Sequence, residues 1–163
     1  NGTLDELNAH LGLIRSYLAL EDPRHSFIGQ VQMQIMQAMS LVATRSERRA
    51  ENPNNFDLAW LSALEEETAR LMSELSENGF FILPGGTPLS AQMQLARTVA
   101  RRAERRLWTL DREDPLPEGL IPWVNRMSDW LFVLAKWEMQ QQNWPEERWQ
   151  AFSYKRKKKP AHD

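Results

Sequence analysis

A chain of 163 residues, 42% hydrophobic and 26% charged, is long enough for one folded core and too apolar to be a disordered chain. Its 20 basic and 22 acidic side chains leave a net charge of −2, so affinity for a polyanion has to come from local clustering. The absence of cysteine excludes disulfides, thiolate metal sites and cysteine nucleophiles, and no apolar run reaches the roughly 18–20 residues of a membrane span. No secretory signal is read at Asn1, and a cytoplasmic protein without membrane or nucleic-acid partners is expected.

In chain order, Leu4, Leu7, Leu11 and Leu18 predict a first helix from about Thr3 to Leu20, with Asp5 and Glu6 in the turn where carboxylates favour the helix dipole. Pro23 suits the first turn of a second helix, whose stripe is Phe27, Val31, Ile35, Met39 and Val42. Met33, Met36 and Met39 are expected to fill gaps in the core. After the loop Asn52-Pro53-Asn54-Asn55, a third helix is marked by Leu58, Leu61, Leu64, Leu71 and Leu75, with Gly79 as its stop. The apolar run Phe80-Phe81-Ile82-Leu83 ends in Pro84-Gly85-Gly86. Thr87 then reads as an N-cap and Pro88 as the first position of a fourth helix reaching about Leu110. A loop with Pro115, Pro117 and Gly119 precedes a fifth helix, Leu120 to Gln142. No segment alternates with period two. The expected fold is an all-α bundle of five helices, one domain over residues 1–150. The tail 151–163, with Lys155-Arg156-Lys157-Lys158-Lys159, reads as a solvated terminus because no aromatic stacking platform accompanies its charge.

The fourth helix carries the strongest chemical signal. At about 100° per residue, Arg97, Arg101 and Arg105 share one face with Glu104, apart from an apolar arc of Leu95, Val99, Ala103, Leu107 and Leu110; Arg102 and Arg106 fall between the two. Guanidinium forks bind phosphate oxygens in pairs and stay cationic, and Glu104 is placed to hold one fork. The same spacing equally describes a surface helix laced by ion pairs. On the fifth helix Asn125, Asp129, Phe132 and Lys136 share an arc away from Met127, Leu131 and Leu134. There Asn125 is a candidate for a nucleotide hydroxyl or phosphate, and Asp129 for a fourth-helix arginine, against the alternative of a plain solvent-facing stripe. Trp123, Trp130, Trp137 and Trp144 recur every seven residues, a ridge expected in helix packing or at an oligomer seam. His10, His25 and His162 lack metal-ligand spacing, so no metal bound by protein side chains is expected.

Three blocks, taken together and in order, resemble the PduO-type ATP:cob(I)alamin adenosyltransferases. They are Gly2-Thr3-Leu4-Asp5-Glu6-Leu7-Asn8; Phe81-Ile82-Leu83-Pro84-Gly85-Gly86 running through the arginine helix to Arg106; and Asn125-Arg126-Met127-Ser128-Asp129 with Leu131-Phe132-Val133-Leu134-Ala135. The resemblance implies a homotrimer with sites between subunits, and transfer of the 5′-deoxyadenosyl group of ATP, supplied with magnesium, to the cobalt of a reduced corrinoid (cobalamin). A reductase would supply Co(I). It further implies that Arg101, Arg102, Glu104, Arg105 and Asn125 surround ATP and that Arg101 and Asp129 serve catalysis, Asp129 by supporting the arginines. Phe81 and Phe132 would line the corrinoid side, and Asp5 would pair with Arg97 across subunits. A phosphate-wrapping loop precedes the first block in such enzymes, and this sequence begins after its position. Met36 and Met39 also depart from the usual apolar residues of the second helix. Two other readings stay open: a corrinoid- or nucleotide-binding module of the same fold, and a helical interaction protein whose basic stripe meets an acidic partner.

Overall fold

The computed structural model describes residues 1–76 and 82–147. Its α-helices are α1 (Gly2–Ser16), α2 (Pro23–Ala43), α3 (Ala59–Glu74), α4 (Pro88–Asp111) and α5 (Leu120–Gln141), with a 3-10 helix, Ser46–Glu51, after α2. The starts of α2 and α4 follow local chemistry. Pro23 and Pro88 open them with φ already helical, while Asp22 accepts the Arg24 backbone N–H at 2.9 Å and Thr87 Oγ1 accepts that of Ser90 at 3.0 Å.

Helix α5 is the axis of the molecule. It packs against α4 and α3, α4 packs against α1, and α1 against α2. Covered on several sides, α5 buries Trp123, Val124, Met127, Trp130, Leu131 and Leu134, among others. Trp130 meets the edge of Phe27 at 5.5 Å between centroids, and Trp123 packs with Phe56 and Trp60. The tryptophan ridge is thus internal at Trp123 and Trp130 but leaves the core by Trp144, which lies beyond α5 and is exposed.

Outer helices bury narrower stripes than their leucines and methionines suggest. In α2 the core side is Ile28, Val31, Ile35, Ala38 and Leu41, with Phe27, Met39 and Val42 at its margin. Met33 and Met36 project outward, contrary to their expected gap-filling role, because α2 lies at the flank of the bundle and only one stripe faces in. Likewise α3 buries only Leu64 and Leu71 fully, and Leu58 is exposed at its N-terminus. Helix α1 stops at Ser16, short of Leu20, where the Ser16 hydroxyl bonds to the Leu13 carbonyl at 2.7 Å and the chain turns toward the Asp22 cap. Gly79 and the basic tail lie outside the described residues.

Two contacts tie the ends of the bundle together. Arg24 reaches from α2 to Glu138 of α5 at 2.5 Å, also grips Asp22 at 2.6 Å, and lies 5.1 Å from the Trp137 ring centroid; Glu138 is 3% exposed. Burial pulls the Arg24 guanidinium down, but its two carboxylates outweigh that and raise it. Gly86, at φ +87°, sits against Met139, and a Cβ there would clash with the Met139 thioether. Gly86→Ala is therefore expected to destabilise the chain by roughly 2–5 kcal/mol, combining left-handed strain with overpacking, as a lowered urea midpoint.

Candidate functional site

The buried face of α4 runs through Leu89, Met93, Ala96, Val99, Ala100, Ala103 and Leu107. Leu95, expected on that face, is 53% exposed, because the core stripe follows Met93, Ala96 and Ala100 and turns Leu95 outward. Small residues at 96, 100 and 103 allow close helix packing there and hold the arginine face at a fixed rotation.

That face is short of counter-charge. Arg101 and Arg105 are exposed, and neither makes a hydrogen bond or ion pair with a described residue. Arg97 is half-buried, and its Nε donates to the neutral amide oxygen of Gln94 at 2.7 Å. Burial, and then the charge of Arg101, push the Arg97 guanidinium below its ordinary pKa. No carboxylate of the described residues offsets these three cations. Glu104, expected to clamp one of them, instead accepts from Asn125 Nδ2 at 3.1 Å and so joins α4 to α5 beside the row. The structure therefore brings Arg97, Arg101, Glu104, Arg105 and Asn125 to one surface.

The other two arginines of the run have different partners. Arg102 pairs with Glu6 of α1, which holds the Glu6 carboxyl below the usual range, and Arg106 donates to Thr3 Oγ1 at 2.6 Å. Glu6 was legible only as part of a dipole-favouring turn and Thr3 only as the start of the helix; as anchors of α1 on α4 they escape sequence reasoning, since the pairing spans about a hundred residues. Gln94 was missed as well, although its position three residues before Arg97 is a spacing that permits contact.

Asp129 does not reach an α4 arginine. It pairs with Arg126 three residues away at 3.0 Å, and Arg126 also holds Glu65 of α3 at 3.0 Å, so a nearer partner on its own helix takes the carboxylate. Phe132 is 39% exposed, with Lys136 Nζ 6.0 Å from its ring centroid and 3.6 Å from Glu146. Lys136 also borders a cavity of about 520 Å³ lined by Leu75, Gln140, Trp144 and Pro145. Asp5 is exposed on α1 with no partner among the described residues, and Phe81 lies outside them. Among the described residues no three His, Asp or Glu side chains gather in a way that could hold a metal ion, and no helix is long and apolar enough to cross a membrane.

The sequence profile of cobalamin adenosyltransferases matches residues 1–138, from the start of α1 to within four residues of the end of α5. The chain belongs to the cobalamin adenosyltransferase family. Within it, the chain is 36% identical over 138 residues to corrinoid adenosyltransferase PduO of Citrobacter freundii, covering 84% of this chain and 41% of that protein. It thus spans about two fifths of the length of the first such relatives, the Salmonella typhimurium PduO included, at 40%. Against the corrinoid adenosyltransferase of Mycobacterium leprae it is 34% identical over 141 residues, covering 81% of this chain and 72% of the relative. The fold agrees: a PduO-type ATP:corrinoid adenosyltransferase variant from Lactobacillus reuteri, complexed with cobalamin and ATP, superposes with a TM-score of 0.85 at 26% identity, covering 92% of this chain and 83% of that one. In this member of the family the helical scaffold presents an arginine-lined face next to Asn125.

Proposed function

We propose that this chain forms the catalytic unit of an ATP:corrinoid adenosyltransferase, moving the 5′-deoxyadenosyl group of ATP onto the cobalt of a reduced corrinoid. The observation that carries the reading is the row Arg97, Arg101 and Arg105, uncompensated by any described carboxylate and bordered by the Glu104–Asn125 bond. In the reaction the Co(I) electron pair forms the bond to the ribose 5′ carbon while the C5′–O bond breaks, and triphosphate leaves with that bonding pair. Negative charge then concentrates on the departing oxygens. Guanidinium groups already in place stabilise that charge without reorganising, which is where the catalytic advantage lies. No proton has to be abstracted, so a face of cations and one amide suffices. Arg101 and Arg105 hold the triphosphate, Glu104 fixes the Asn125 amide, and Asn125 orients the nucleotide. Arg102 extends the phosphate site from the α1 side, and Asp129 acts through its ion pair with Arg126 on the same helix. Among the described residues no group of three carboxylates or histidines gathers to hold a metal ion, and magnesium would arrive on the phosphate oxygens of ATP.

Phe81 and Phe132 form the apolar wall for the corrinoid, excluding water from a strongly reducing centre. We infer a homotrimer with the site between subunits. Trp108 is a large apolar side chain exposed on the arginine side of α4, Leu95 and Leu13 are exposed on α4 and the neighbouring α1, and neither Asp5 nor Arg97 pairs with an opposite charge among the described residues. A second copy would supply both the apolar cover and the carboxylate. The need for ATP and for a reductase delivering Co(I) places the reaction in the cytoplasm.

The test is an anaerobic mixture of the full-length protein, ATP, magnesium and chemically reduced cobalamin. The expected result is the absorbance change of Co–C bond formation with release of triphosphate. ATP binding without that change would overturn the enzymatic reading in favour of a binding module. Salt-sensitive polyanion binding with no response to reduced cobalamin would overturn both in favour of an interaction protein.

A further inference from the structure

We propose that Gln94 is a positioning residue that aims Arg97 outward while leaving its charge uncompensated for Asp5 of a neighbouring copy. This rests on the trimer reading above. Gln94 is 5% exposed and lies one turn before Arg97, on the arginine face of α4. Its Oε1 takes the inner donor, Nε, of Arg97 at 2.7 Å. With Nε fixed, the plane of the guanidinium is set, and the four N–H bonds of its two terminal nitrogens remain for a partner.

The chain contains its own control for this arrangement. On α3, Arg70 Nε donates to a side chain three residues earlier at the same 2.7 Å, but that side chain is Glu67, a carboxylate. Arg70 also pairs with Glu74 and is satisfied within its helix; Glu67 above all holds its guanidinium pKa raised. Arg97 has the same spacing, donor and distance with an amide in place of the acid, and its pKa is displaced the opposite way. Geometry is thus conferred in both cases, and neutralisation in only one. An amide at 94 orients a cation without cancelling it, which is what a salt bridge to another chain requires.

The experiment measures the effect of Asp5→Asn on subunit dissociation, by sedimentation equilibrium of the full chain, in three backgrounds: wild type, Gln94→Glu and Gln94→Met. Helicity and melting temperature establish that each variant is folded. In the wild-type background Asp5→Asn is expected to weaken association roughly tenfold. In Gln94→Glu the effect is expected to fall to about twofold or less, because the new carboxylate satisfies Arg97 internally. Gln94→Met is expected to reduce it too, since the guanidinium loses its anchor. A general loss of stability would shift all dissociation constants without changing the dependence on Asp5. An equal effect of Asp5→Asn in all three backgrounds would overturn the role of Gln94. No effect of Asp5→Asn in the wild type would instead overturn the pairing between copies.

Discussion

Arg101→Ala is expected to lower the turnover of adenosyl transfer by about 10²–10³-fold with little change in helicity, melting temperature or subunit assembly. Arg101 is exposed and makes no hydrogen bond or ion pair with a described residue, so its removal leaves no buried partner among them unpaired. Alanine is also the best helix former, and the arginine tip lies outside the core. What is lost is a cation held where triphosphate charge develops. Because that charge grows as the C5′–O bond breaks, the loss belongs mainly in kcat. A rise in KM for ATP at constant kcat would mean that Arg101 binds ground state and transition state alike. Normal kinetics on both counts would remove Arg101 from the site.

Glu138→Ala is expected to have the largest effect on stability, about 3–5 kcal/mol, read as a shift of the urea unfolding midpoint followed by circular dichroism. The carboxylate is almost fully buried and meets the Arg24 guanidinium, which is itself largely covered and lies on Trp137. Truncation leaves a buried cation with Asp22 as its remaining partner. Glu138→Gln keeps the shape and one acceptor and is expected to cost distinctly less. Acid should weaken the same junction. The Asp22 carboxyl is held below its ordinary pKa, chiefly by its bond to Arg24, so its contribution is complete above the unfolded-state value and is lost as pH falls through the lower folded one. A Glu138→Ala variant as stable as wild type would show that the α2–α5 contact is incidental.

How much of this could be read from the sequence depended on the range of the interaction. The α-helices of the described residues and the starts of α2 and α4 follow from residues within one turn of each other: Pro23 after Asp22, Pro88 after Thr87, and apolar side chains three and four apart. The common face of Arg97, Arg101 and Arg105 followed from the same periodicity. Periodicity says which side chains share a face, but not which way the face is turned or how wide its cover is. Leu95, Met33 and Met36 were therefore placed inside, when the packing of small residues on α4 and the flank position of α2 put them outside. Partners distant in the chain were not legible. Glu104 chose Asn125 over an arginine, Asp129 chose Arg126, and Arg24 found Glu138 across the bundle, each decided by tertiary packing.

The hexapeptide Arg101 to Arg106 looks like one uniform signature, yet its arginines divide the labour. Arg102 and Arg106 fasten α1 through Glu6 and Thr3, whereas Arg101 and Arg105 make no hydrogen bond or ion pair among the described residues. Inactive natural variants at Arg106 and at Arg101 would thus be of two unrelated kinds, one mechanical and one chemical. Stabilising the scaffold elsewhere would restore the first kind and do nothing for the second.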